Sequence, residues 1–596
     1  MCGIYGGAKP GGLNPDVLGR MSRVQKHRGP DDKGSYFHNN IALGIRRLSI
    51  IDIDSGHQPI RNERGNIWVV CNGEIYNYLE LKNSLLKKGH TFYTKSDTEV
   101  LVHLYEEKGE EMVHDLNGMY AFALYDQNLE RILIVRDRMG IKPLYYYYKN
   151  GEFYFASELK SILAIPHVSK DLDYDSLSTY LEIMYIPSPN TPFSEIKKLR
   201  SGSYINLQDG KLSEKAYWSL EVPEHFNDQS LSEWSNELIE LIEDSSRLQL
   251  RSDVPLGSFL SGGIDSSCVT SFAAKESSHK ISTFNVYWED AKDKMDERPY
   301  AKLVSDKFDT DHYVLGINGN EVPMILEKLI WHLEEPFADA AFIPTYLISK
   351  WASTSVKVLL NGAGGDELFG GYPRYSTSYE LRRLKNIIDW GLHWKNWIWS
   401  YYENIMVGKR NDWKIIYPFY KESARKDDIE RNFVQNKNKS VANAMMLNDL
   451  MVYLQDNILF LLDKMTMAAS IEGRVPLLDH RIVEKSIQIP DSIKIRKGEN
   501  KYLFKKTLEP LLPREILYRR KDGFGAPIWN WIDKYKNSDF DQILSNGNLA
   551  KNGLINSKVI NKNFIDKKIL RKNDYWNYWK ILILELWYKV MIVDDQ

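Results

Sequence analysis

Residues 255–267 read PLGSFLSGGIDSS, and no other stretch restricts the fold of this chain as strongly. A short apolar run ends in two glycines and passes straight into a segment that opens a helix with Asp265, Ser266 and Ser267. A strand that turns at glycines into a helix predicts a parallel sheet, because parallel neighbours need a long crossover connection. The same order recurs in VKVLLNGAGGDELFGGY, Val356 to Tyr372, where an apolar strand again runs into a glycine turn with carboxylates. Both turns then lie at the C-terminal edge of one sheet, where Asp265 and Asp366 converge. Main-chain N–H groups of the first turn, together with the positive end of its helix, suit a phosphate. The turn lacks the lysine of the phosphoryl-transfer loop GxxxxGK[ST], so it is a phosphate loop of another kind.

The chain has 596 residues, too many for a single core. Between Ile41 and Leu207 short β-rich runs recur, among them NIWVVCNG, GMYAFALYD, RILIVRD, PLYYYYK and EFYFASE, with Gly, Asn and Asp turn signals between them. Amphipathic stretches such as YLELKNSLLKKG separate some of these runs, so this half reads as layered α plus β. From Leu231 the pattern changes to helix alternating with strand. We expect one domain over 2–210, a connector, and a second domain over 231–596. There is no internal repeat and no low-complexity tract. The opening MCGIYGG lacks a basic segment followed by an apolar run, no apolar stretch reaches the roughly 18 residues that span a bilayer, and three cysteines cannot build a disulfide framework. A cytoplasmic protein with no membrane contact is expected. A formal net charge of −2 gives no general attraction to nucleic acid.

Four strings of the first half place polar clusters at the ends of short elements: HRGPDDKG, RRLSIID, CNGEIYN and SDTEV. With MCGI at the start, these resemble the class II glutamine amidotransferase domain, whose catalytic cysteine is its first residue. SGGIDSS resembles the pyrophosphate loop of the ATP pyrophosphatase superfamily. Together with GGDELFGGY and RVPLLD, the whole chain resembles the glutamine-hydrolysing asparagine synthetase family. The resemblance implies a four-layer α/β/β/α sandwich of the N-terminal-nucleophile type, followed by a parallel-sheet α/β ATP pyrophosphatase domain with helical insertions.

The resemblance also implies roles. Once Met1 is removed, Cys2 carries a thiol and a free α-amine of reference pKa about 7.7 to 8.0, which serves as base for its own nucleophile. Asn72 and Gly73 would form the oxyanion hole, Arg47 would hold the carboxylate of glutamine, and Glu74 and Asp97 its ammonium. ATP would lie across Phe259, Ser261, Gly262, Gly263, Asp265, Ser266, Val286, Asn361 and Gly362, with Mg²⁺ on Asp265 and Asp366. Lys521, in RRKDGFGAP, would stabilise charge near the phosphates, while Glu472 and Arg474 shape the site. The ligands are small molecules: glutamine, ATP and a carboxylate acceptor, L-aspartate first. Ammonia must cross between the sites through a channel, and a homodimer is allowed.

One departure concerns the acceptor. The family often has a carboxylate in the second glycine loop, in the form GEGxDE or GDGGDE, where this chain reads GAGGDE. Ala363 cannot take a proton or orient an ammonium, which leaves another carboxylate, such as a sugar uronic acid or a peptide carboxyl, as the alternative. Five tryptophans crowd 389–420, either as packing of a helical insertion or as an aromatic surface for a ring-bearing acceptor or a partner.

Overall fold

The computed structural model describes residues 2–289, 296–385, 441–519, 525–536, 538–567 and 570–594. Lys521 and the tryptophan-rich stretch 389–420 lie outside the described residues.

Twelve strands form two six-stranded sheets in the first part of the chain. They are β1 (Cys2–Ala8), β2 (Asp32–His38), β3 (Ile41–Arg47), β4 (Ile60–Arg61), β5 (Ile67–Ile75), β6 (Gly118–Asp126), β7 (Arg131–Arg136), β8 (Tyr145–Lys149), β9 (Glu152–Ala156), β10 (Ile196–Lys198), β11 (Ser203–Gln208) and β12 (Lys211–Ala216). The first sheet runs β10-β8-β9-β1-β3-β2 and the second β12-β11-β7-β6-β5-β4. β12 pairs with β11, so the second sheet continues six residues beyond residue 210.

The sheets lie face to face over one apolar layer, in which Cys2, Ile4, Leu43 and Phe155 meet Val70, Ala121, Ala123 and Ile134. The period-two alternation of the strands sends their other side chains outward to helices. Leu18 and Met21 of helix Pro15–Val24 cover the first sheet. Leu85 and Val100 to Leu104 of helices Tyr78–Lys87 and Val100–Lys108 cover the second. This is the α/β/β/α order expected from the resemblance, and it makes β1 and β5 inner strands that face each other.

The second part is built on a five-stranded sheet in the order β15-β14-β13-β16-β17, from β13 (Leu256–Phe259), β14 (Ser282–Trp288), β15 (Asp311–Ile317), β16 (Val358–Leu360) and β17 (Glu472–Arg474). Every neighbouring pair is parallel. Helix Leu231–Gln249 begins in a capping box, with Ser230 accepting from Glu233 N–H and the Glu233 side chain returning to the Ser230 N–H. It packs with helix Ile264–Glu276 on one side, while Phe342–Ala352 lies against the other. Among the described residues no helix is long and apolar enough to cross a membrane.

The two parts share a core. Trp531, Trp579 and Trp587 sit in one apolar cluster with Tyr5, Tyr154 and Tyr180 of the first part. Helix Lys572–Tyr588 is pinned there, with Tyr180 Oη donating to Lys580 O at 2.8 Å and Lys580 Nζ donating to Leu181 O at 2.6 Å.

Candidate active sites

Cys2 opens β1 and is 5% exposed, on the face that meets the second sheet. Antiparallel register sets Arg47 directly opposite it. The main-chain nitrogen of Cys2 donates to Asn72 Oδ1 at 3.0 Å, so the contact joins β1 of one sheet to β5 of the other. Asn72 Nδ2 is 3.4 Å from Ser157 Oγ. Gly73, next along β5, has φ +145°, and a Cβ there would lie 2.0 Å from Met119 O. Only glycine fits that approach.

Charged groups ring this point. Arg47 Nη2 donates to Ile51 O at 2.9 Å and to Asp52 O at 2.7 Å, which fixes the plane of its guanidinium. Asp97 Oδ2 accepts from Ile75 N–H at 2.8 Å, and Ser96 caps the short helix Asp97–Glu99 through Thr98 N–H. Glu74 Oε2 is buried with no hydrogen-bond partner, while Oε1 lies 3.6 Å from Arg474 Nη2. Burial raises the Cys2 thiol, and nearby positive charge, that of Arg47 included, offsets only part of the rise. Burial also holds Glu74 well above the usual carboxylate range, with Glu472 and Asp97 adding repulsion. The predicted residues Cys2, Arg47, Asn72, Gly73, Glu74 and Asp97 are thus brought together in one buried cluster.

The second constellation stands at the C-terminal edge of the parallel sheet. Gly262 has φ +70°, and a Cβ would meet Ala301 N at 2.5 Å, so the first turn closes against the helix Arg298–Lys307 only with glycine. Ser261 Oγ and Ser266 Oγ are 3.0 Å apart, and Gly263 N–H donates to Ser261 Oγ at 3.2 Å. The second turn packs on the first: a Cβ at Gly362 would sit 2.7 Å from the Asp265 carbonyl carbon, and one at Gly365 would sit 2.2 Å from Asp265 Oδ1. Asn361 Oδ1 accepts from Ala363 N–H at 2.8 Å and braces that turn. Phe259 and Val286 end up on neighbouring strands, both half-buried against the core behind the turns.

Asp265 and Asp366 do converge, on a group that the sequence pattern did not reveal. Lys501 Nζ lies 2.6 Å from Asp265 Oδ1 and 2.7 Å from Asp366 Oδ1. Burial disfavours the Lys501 charge, but the two carboxylates outweigh it and hold the ammonium above its ordinary range. Lys501 adopts a left-handed conformation, φ +56°, at the mouth of helix Tyr502–Leu508. Glu367 was also missed. Tyr372 Oη donates to Glu367 Oε1 at 2.6 Å, and burial, followed by the Asp366 charge, pushes its carboxyl up to about 7.

The pattern of the glutamine amidotransferase domain matches residues 1–218, and that of asparagine synthase matches residues 237–589. Asparagine synthetase [glutamine-hydrolyzing] 1 of Bacillus subtilis (strain 168) is 33% identical, over 97% of this chain and 94% of the relative. Asparagine synthetase [glutamine-hydrolyzing] 2 of the same organism is 34% identical over 85% of this chain and 69% of the relative. Asparagine synthetase B [glutamine-hydrolyzing] of Escherichia coli (strain K12) is 28% identical over 88% and 81%. The chain belongs to the asparagine synthase family. It is therefore an ATP-dependent, glutamine-hydrolysing amidotransferase of the ligase class.

In this member of the family the two parts of the chain are joined by buried arginines. Arg28, from the HRGPDD string, donates through Nε to Cys2 O at 3.1 Å, and through Nη1 and Nη2 to Asp463 Oδ2 and Oδ1 at 2.8 and 3.1 Å. Asp463 lies on helix Phe460–Met467 of the second part, so one fully buried guanidinium touches the cysteine strand and the synthetase fold together. Arg474 does the same on the other side. It donates to Glu472 Oε1 at 2.6 Å and to the carbonyls of Gln249 and Arg251 at 2.6 and 2.7 Å, while facing Glu74. Arg474 was expected, with Glu472, to shape the synthetase site; its reach across the junction to Glu74 was not legible.

Proposed function

We propose that this enzyme converts L-aspartate to L-asparagine with ammonia taken from glutamine. The observation that carries the reading is the pairing of a buried Cys2–Asn72–Arg47 cluster with a cleft where two aspartates meet one cation, in a single chain with a shared core.

In the first step Met1 is absent and the nitrogen of Cys2 is a free amine. That amine accepts the thiol proton, which a thiol raised by burial needs in order to react. The thiolate attacks the side-chain carbonyl of glutamine, and the carbonyl oxygen takes the negative charge beside Asn72 Nδ2 and the Gly73 N–H. The C–N bond breaks, ammonia leaves with the proton, and water hydrolyses the thioester to glutamate. Arg47 holds the substrate carboxylate by its fork. Glu74, with an unused buried oxygen, and Asp97 receive the substrate ammonium.

In the second step the acceptor carboxylate oxygen attacks the α-phosphorus of ATP, pyrophosphate leaves, and ammonia displaces AMP to give the amide. Ser261, Gly262, Gly263 and Ser266 surround the phosphates, and Phe259, Val286, Asn361 and Gly362 border the nucleoside. Asp265 and Asp366 are hard oxygen donors already directed at a single positive centre, which fits Mg²⁺. When bound, Mg²⁺ neutralises charge on the phosphates. Lys521 adds positive charge near them. Ammonia passes through the interface that Arg28 and Arg474 span, and the reaction runs in the cytoplasm, which suits three buried free cysteines.

The test is pyrophosphate release from ATP, Mg²⁺ and ammonium, with and without L-aspartate. Aspartate-dependent release with asparagine formed supports the reading. No release in a preparation that still hydrolyses glutamine removes aspartate as acceptor. Ala363, which presents no carboxylate to the cleft, then directs the search to uronic acids and peptide carboxyls.

A further inference from the structure

A cluster on the outer helical layer of the first domain serves neither active site. Glu63 lies in the turn between β4 and β5, and His90 follows helix Tyr78–Lys87. His103 and Glu106 stand three residues apart on helix Val100–Lys108, and so share one face. One donor atom from each of the four lies within 4.8 Å of all the others.

The separations have a meaning. His90 Nδ1 is 3.4 Å from Glu63 Oε1 and 3.7 Å from Glu106 Oε2. His103 Nδ1 is 3.3 Å from Glu63 Oε2 and 3.6 Å from Glu106 Oε2. Four ligands about 2.0–2.1 Å from a tetrahedral centre are about 3.3–3.4 Å from one another. His103 is wholly buried, yet its ring nitrogens meet only carboxylate oxygens at 3.3–3.6 Å and make no well-aligned hydrogen bond, and Glu106 Oε2 likewise lacks one. Buried polar atoms left in that state are costly unless a ligand takes them up.

The surroundings also fit a metal. Behind each imidazole stands a carboxylate: His90 Nε2 is 3.2 Å from Glu107 Oε1, and His103 Nε2 is 3.6 Å from Glu99 Oε1. A carboxylate on the far nitrogen of a ligating histidine fixes its tautomer and ring plane. Asn62 Nδ2 donates to Glu106 Oε1 at 3.0 Å, which leaves Oε2 directed inward, and Thr91 N–H donates to Glu63 Oε1 at 2.9 Å. Phe92 covers His103 with ring centroids 4.4 Å apart.

We propose that Glu63, His90, His103 and Glu106 form a structural zinc site. Two imidazoles and two carboxylates in a closed tetrahedral arrangement suit Zn²⁺, whereas Mg²⁺ and Ca²⁺ take more ligands and only oxygen. Zinc there ties the β4–β5 turn, the segment after helix Tyr78–Lys87 and helix Val100–Lys108 into one unit. The segment so held leads into Asp97, two residues before the Glu99 that backs His103.

The experiment uses the full chain, freed of metal by a chelator and titrated with Zn²⁺ against a chromogenic zinc competitor. One Zn²⁺ per chain is expected, with a dissociation constant below about 1 μM. His103 is a core residue whose replacement could unfold the protein, so the partly exposed ligands are varied instead. Glu63→Gln and His90→Gln should each weaken binding at least about tenfold, abolish the rise in melting temperature that Zn²⁺ gives the parent chain, and leave ammonium-dependent pyrophosphate release unchanged. Absence of binding at about 10 μM Zn²⁺, or equal binding by parent and both variants, overturns the proposal. A bare histidine–carboxylate ion-pair network gives the first of those results and adventitious zinc at the catalytic residues gives the second.

Discussion

The two active sites hold their charges in different ways. In the glutamine site the anchors are main chain: Asp97 is fixed by the Ile75 N–H, Arg47 by two carbonyls, and Asn72 by the nitrogen of Cys2. In the cleft at the edge of the parallel sheet the two aspartates, 20% and 17% exposed at their side chains, meet the buried ammonium of one lysine far away in sequence. The Cys2 and Ile75 anchors belong to the sheets, and those of Arg47 to the loop that follows β3. On our proposal the first site receives a small zwitterion and the second a nucleotide.

The largest expected effect separates the two. Cys2→Ala should lower glutamine-dependent amide formation by at least about 10³-fold and leave the ammonium-dependent rate intact, measured by product analysis with each nitrogen donor. A comparable loss with ammonium would mean that the sites are not chemically separate.

Next comes the junction. Arg28→Met leaves the buried Asp463 carboxylate without its bidentate partner, while Glu158 keeps His27 and Lys160, and should cost about 3–5 kcal/mol, seen as a lower denaturation midpoint. Combining it with Asp463→Leu should recover part of that loss, since removing both charges is cheaper than orphaning one.

In the cleft, Asp265→Asn should reduce ammonium-dependent pyrophosphate release by about 10²-fold with glutamine hydrolysis retained. Equal loss of both activities would place Asp265 in the fold of the whole chain instead.

The smallest effect concerns Glu367. Its folded carboxyl titrates near 7, against 4.5 in the unfolded chain, so the folded state binds the proton more tightly. The stability this gives is present at low pH and is lost as pH rises through about 7. Relative to Glu367→Gln, the parent should lose stability between about pH 5 and about pH 8, and parallel denaturation curves across that range would contradict the assignment.

What the sequence made legible was local. The glycine turns at Gly262 and Gly362, the β-run that leads into Asn72, and the helix that opens at Leu231 each depend on neighbours in sequence, and all appear where the strings placed them. What was hidden depends on partners far apart along the chain. Lys501 is 236 residues from Asp265, and Arg28 is 435 from Asp463, so no spacing rule could pair them. Likewise His90 and His103 are unremarkable in a linear reading, because only the fold brings Glu63 beside them. The edge of the first domain was hard to read for a related reason: β12 is a polar edge strand, KLSEKA, whose identity comes from pairing with β11.

The central claim is that ammonia made at the first site reaches the second inside the protein. The most direct measurement is amide formation from glutamine labelled with ¹⁵N at its side-chain amide, in the presence of a large excess of unlabelled ammonium at a pH where the ammonium-dependent reaction is slow. Product carrying far more ¹⁵N than the mixed pool is the predicted result. Product whose label equals that of the pool would show that ammonia escapes to solvent, and would contradict the account.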